Sequence, residues 1–143
     1  MNYVLSSGKI IENMRGLAAI HILARSGCSP LEPLMCESRR ELLESTVRDA
    51  FAACVSRLSV PVIELDVERL SLTMAVGRGV PSERLLRLSR TLEQMVAAEA
   101  MALWCSLSGL ESEAEVCSSQ VAGWQVRLKA LLAPSPCIRP SWL

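Results

Sequence analysis

The sequence predicts an all-α fold: a compact bundle of about five helices, with a helix-turn-helix-like hairpin near residues 67–92. Three observations predict it. Half of the residues are apolar but only 3% are aromatic, so Leu, Ala and Val must fill the core, a composition that suits helices packed on helices. Apolar residues recur at three- and four-residue steps through several long stretches. Capping pairs of Ser with Glu three residues later stand before those stretches. At 143 residues the chain has the length of one domain able to bury its own core. It divides into a helical domain over residues 1–132 and a Pro-rich tail over 133–143.

Ser7 to Arg25 reads as the first helix, stopped by Gly27. Ile10, Met14, Leu17 and His21 share one of its stripes. The SPLEP segment, Ser29–Pro33, breaks the chain. Ser38 with Glu41 opens a second helix to about Leu58, with Leu43, Val47, Ala50, Phe51, Cys54 and Leu58 on its apolar face. Val60-Pro61 ends it, because the residue before a proline is pushed out of helical geometry. VPVIEL, Val60–Leu65, fits either a short extended segment or the start of the next helix. Asp66 suits the cap of a third helix to about Val76, which Gly77 and Gly79 would terminate. A fourth helix starts near Pro81 and Ser82 and continues to Ser106. Gly109 separates it from a last helix with caps at Ser108/Glu111 and Ser112/Glu115. The tail holds three prolines and cannot continue that helix.

Composition also excludes functions. No phosphate loop, nucleophile elbow, paired carboxylates in an apolar setting or His-centred cluster is present, which argues against an enzyme. The six cysteines lack a C-x-x-C pair and His21 is the only histidine, so neither a zinc site nor any other cofactor is expected. No apolar run approaches the roughly 20 residues that span a bilayer, and the first residues do not form a secretory signal. The expectation is a cytoplasmic protein with reduced thiols, no membrane contact and no evident small-molecule substrate. Lys+Arg and Asp+Glu are both 15, whereas a protein gripping DNA alone usually carries a basic surplus for the phosphates.

Two stretches carry the functional reading. In the first, Ala75, Gly79 and the apolar anchors Leu85 and Leu88 match a helix-turn-helix, in which a small residue lets two helices cross and a glycine turns the chain. With Leu85 and Leu88 inward, Arg87 and Arg90 face outward and Arg84 lies on the flank. Together with Ser82 and Arg78 they form the candidate DNA-binding set, since guanidinium groups clamp phosphate and read guanine. The same pattern also suits a plain helical hairpin. In the second stretch, Leu110, Ala114, Cys117, Val121, Trp124, Leu128 and Leu131 alternate steps of four and three, a coiled-coil seam. It serves either packing within the bundle or a surface for another chain.

Residues 79–105 also resemble the FlhD family, the D subunit of the bacterial flagellar master transcription activator. The shared pattern is Gly79, Val80 and Glu83, then Leu92, Gln94, Met95 and Val96, then Ala98, Glu99, Leu103 and Cys105. The resemblance implies an all-helical subunit that dimerises, joins a second subunit, binds promoter DNA with it and recruits RNA polymerase. The function expected from the sequence is thus a helical subunit of a bacterial transcriptional regulator, a homo-oligomer or a hetero-complex on double-stranded DNA. The alternative is a helical adaptor or chaperone, of the kind serving secretion systems, that binds protein and no DNA.

Overall fold

A computed structural model describes residues 2–5, 7–17, 40–58, 62–75, 80, 82–107, 109 and 111–132. His21, Cys28, Cys36, the SPLEP break, the Ser38 and Ser108 caps, Arg78, Gly79, Leu110 and the tail lie outside them. The chain runs β1 (Asn2–Val4), α1 (Ser7–Leu17), α2 (Arg40–Ser56), β2 (Val62–Asp66), β3 (Ser71–Met74), α3 (Ser82–Leu107) and α4 (Glu111–Leu132). The fold is mostly helical, with four helices and a three-stranded sheet among the described residues. The mainly helical character expected from the sequence is present, and the small sheet is an element the sequence did not announce.

α3 is the axis of the molecule, with α1, α2 and α4 all packed against it. Its middle is buried on every side: Met95, Val96, Ala97, Ala98, Ala100 and Met101 are fully buried, and Glu99 among them is paired with Arg57. A helix enclosed all round needs such a sequence, and small Ala side chains let the neighbours approach. α2 brings Leu43, Val47, Ala50, Phe51 and Cys54 to the same core, the face its spacing predicts, with Leu58 packed at its margin. Gly109 takes the left-handed conformation (φ 79°) and donates its N–H to the Ser106 carbonyl. It caps α3 and reverses the chain into α4, as glycine does at helix ends.

Residues 66–75 are not the expected third helix. Asp66 does cap a turn, accepting the Arg69 N–H on Oδ1 at 3.3 Å, the contact an N-cap makes. The chain then doubles back instead of coiling on. Leu70 adopts φ 52°, which a branched side chain rarely accepts, and its carbonyl receives the Leu5 N–H at 2.9 Å. β3 then pairs antiparallel with both β1 and β2, in the order β1-β3-β2. The reason is tertiary. In β3, Leu72 and Met74 are buried and Ser71 and Thr73 are half-buried, a period of two, and the N-terminal strand supplies the second ladder. The expected helical hairpin over 67–92 therefore has a strand where its first helix should be.

The inner face of the sheet joins the helical core through Tyr3, Leu5, Leu70, Leu72 and Met74. Cys54 lies in that core, and burial, with the negative Glu99 nearby, pushes its thiol up to about 12 from 9.0. A raised folded-state value favours the neutral thiol. That stability is complete below pH 9 and is lost as pH rises from 9 toward 12. We expect Cys54 to resist iodoacetamide at pH 8 in the native chain and to react fully in urea, read by mass spectrometry. Rapid native labelling would place the thiol at the surface.

Candidate functional site

The expected DNA-binding arginines part company. Arg84 is half-buried, and its Nη1 reaches the Ala130 carbonyl at 3.5 Å. It tethers the start of α3 to the last turn of α4, where unpaired carbonyls favour a cation. In the free chain this guanidinium bridges two helices, a contact that its expected role toward DNA did not foresee. Ser82, Arg87 and Arg90 are exposed at the surface of α3. Leu88 points inward and is fully buried, as the anchoring position requires.

Arg87 and Arg90 open onto a cleft of about 800 Å³ between α1 and α3. Lys9, Glu12 and Asn13 form one wall, and Glu83, Arg87, Ser89, Arg90, Glu93 and Gln94 the other. Each wall is a stripe at helical spacing. Three cations and three carboxylates line it, giving no net charge. Such a surface is a poor match for a phosphate backbone alone, which is bound by unopposed positive charge. Sequence reasoning found the arginines but not the cleft, because its other wall lies some 70 residues earlier in the chain.

The α4 seam is used inside the chain. Cys117, Val121 and Leu128 are buried, and Ala114, Trp124 and Leu131 pack against the core from its edge. Of the two uses expected for this seam, packing within the bundle is the one these contacts make. Cys117 accepts a hydrogen bond from the Cys105 thiol across the α3/α4 contact, which raises Cys105 and lowers Cys117 relative to an ordinary thiol. Trp124 stacks under Arg127, the guanidinium carbon 4.5 Å from the ring centre.

A second surface was not foreseen. The pairing aligns Tyr3, Leu72 and Leu65 in one row across the sheet. Their exposure runs 8%, 1% and 46%. The described helices therefore cover β1, β3 and the Val62 end of β2 but leave Leu65 open, although Leu65 faces the same side as the core. Beside it the register shifts between Val62 and Glu64, and Ile63 at that irregularity is 65% exposed. β2 is also an edge of the described sheet, with one row of backbone N–H and C=O groups unpaired by a described strand. Edges are usually blunted by charge, proline or cover. β2 has acidic Glu64 and Asp66 between its apolar residues.

No family model, curated protein or solved structure matches the chain. No described helix is long and apolar enough to cross a membrane. Among the described residues no group of three or more His, Cys, Asp and Glu could hold a metal ion.

Proposed function

We propose that this chain is an adaptor that binds another protein through the β2 edge, taking an extended segment of the partner as a fourth strand. The observation that carries this reading is the exposure of Leu65 and Ile63 on a strand whose row-mates are buried. An added strand would pair the free backbone row and cover both side chains at once, the usual logic of strand addition. The charge pattern selects the partner. Two copies of β2 paired antiparallel about Glu64 set Glu64 opposite Glu64. Paired about Leu65, they set Glu64 opposite Asp66. Like charges directly opposed destabilise a ladder, so the reading favours a different chain whose strand carries Lys or Arg.

The test is the complex isolated from native cells with tagged chain. Ile63→Lys with Leu65→Lys changes exposed side chains only, so the circular dichroism and melting temperature stay close to the parent. The complex should weaken at least about tenfold, corresponding to about 1.4 kcal/mol, and the β2 amides should gain hydrogen-exchange protection in the parent complex. A complex unaffected by both lysines, with β2 amides exchanging as in the free chain, defeats the proposal.

A second reading is favoured by Arg87 and Arg90, which stand exposed one turn apart on α3. On it the chain is a regulator subunit that meets DNA beside a basic partner, in line with the FlhD-like stretch. Arg87→Glu with Arg90→Glu should then abolish retention of the complex on DNA at low salt while the melting temperature holds. Equal retention of parent and variant rejects DNA contact by these residues.

A further inference from the structure

α3 carries two buried carboxylates, and only one of them is satisfied. Glu99, 8% exposed, receives the Arg57 guanidinium on Oε2 at 3.0 Å. Glu93, 9% exposed, has its Oε2 shielded from solvent with no hydrogen-bond partner. Burying a carboxylate without a donor is unfavourable, and such a group in a folded protein calls for an explanation. Glu93 lines the α1/α3 cleft, so a donor bound at that wall lies beside its carboxylate and needs only a turn of the side chain to meet Oε2.

The same wall supplies the opposite charge. Arg87 and Arg90 precede Glu93 by six and three residues, about 9 and 4.5 Å along the helix axis, and both are exposed. The lining as a whole balances three cations, Lys9, Arg87 and Arg90, against three carboxylates, Glu12, Glu83 and Glu93. A plain anion meets the carboxylates and a plain cation meets the guanidinium groups. A molecule with both charges, set apart, is complementary to the wall. The volume of about 800 Å³ lies in the range of small-molecule sites.

We propose that the α1/α3 cleft binds a small zwitterionic molecule, its ammonium group on Glu93 and its carboxylate or phosphate on Arg87 and Arg90. The ammonium supplies the donors that Glu93 lacks, and charge-assisted bonds of this kind are the strong ones. The guanidinium pair holds the anion with planar, paired donors. This site is independent of the β2 edge, on another face of α3's surroundings and with no residue in common.

The test is an amide-resolved NMR titration of the full chain with two two-ended probes, O-phosphoethanolamine and glycylglycine. Ethylamine, acetate and inorganic phosphate serve as one-ended controls. Both walls, Lys9–Asn13 and Arg87–Gln94, should shift with a two-ended probe, and the tighter of the two identifies the anion as phosphate or carboxylate. One-ended controls should bind at least about tenfold more weakly. Glu93→Gln should remove that advantage while leaving the weak binding of phosphate or acetate unchanged. Should Glu93→Gln fail to fold, Arg87→Gln with Arg90→Gln, at exposed positions, must reduce the two-ended probe to the affinity of ethylamine. Equal binding of one- and two-ended probes, an unchanged affinity in the variants, or no response of the two walls to either two-ended probe overturns the proposal.

Discussion

Val121→Asp should lower the urea midpoint more than any other single change on α4. Val121 is 2% exposed on α4, within the buried stripe that faces the apolar middle of α3. A carboxylate there has no basic partner among the described buried residues, whose charged members are Glu93 and Glu99. Removing a charge from water without pairing it costs about 3–5 kcal/mol, against a total stability of about 5–15 kcal/mol for a domain. Val126 supplies the control on the same helix, at 67% exposure. Val126→Asp should move the urea midpoint by less than about 0.5 kcal/mol equivalent. Circular dichroism against urea reads both. A Val121→Asp chain that keeps its midpoint and changes only its association state would put the stripe at a contact between chains, contrary to the fold described.

Phe51→Ala should produce the next largest loss. Phe51 is the only phenylalanine of the chain and is fully buried on α2, in a cluster whose α3 members are mostly Ala, Val and Met. Small side chains fixed on a packed helix cannot extend to fill the space a ring leaves, so the cavity persists. Large-to-small changes of this kind cost about 3–5 kcal/mol. For a domain of this length that lowers the melting temperature by about 10–17 °C. Phe51→Leu keeps most of the volume and should cost far less. A drop of under about 3 °C for Phe51→Ala, scaled in the same way, would show that the ring is not enclosed.

The helices were legible because their signals are local. The stripe Leu43, Val47, Ala50, Phe51 and Cys54 is written in a single stretch, and every member is buried. Gly109 and the charged start of α4 mark a boundary that the chain observes. The α4 stripe was equally plain, but a heptad-like pattern states only that one face seeks apolar cover. Whether α3 or another molecule provides it depends on where α3 lies, and the turn at Gly109 brings the two helices side by side.

The hairpin of β2 and β3 shows the opposite case. Asp66 is a sound capping residue, and its side chain does bond three residues on. A capping contact is common to a helix start and a tight turn, so it does not choose between them. The choice is made by β1, more than 60 residues away, whose backbone offers β3 a ladder. The same distance hid the α1/α3 cleft, whose walls are residues 9–13 and 83–94. The contact of Arg84 was hidden for a similar reason, since its acceptor, Ala130, comes from the far end of α4.

The sequence by itself determined which residues leave water and where the long helices begin and turn, because side-chain polarity and backbone preference act within a few residues. Only the tertiary structure decided that residues 62–66 and 71–74 form strands, that the α4 stripe is covered by α3, and that Lys9 and Glu12 stand across one cleft from Arg87, Arg90 and Glu93. Those outcomes depend on pairing energies between segments distant in the chain. No local pattern encodes such energies until the segments meet.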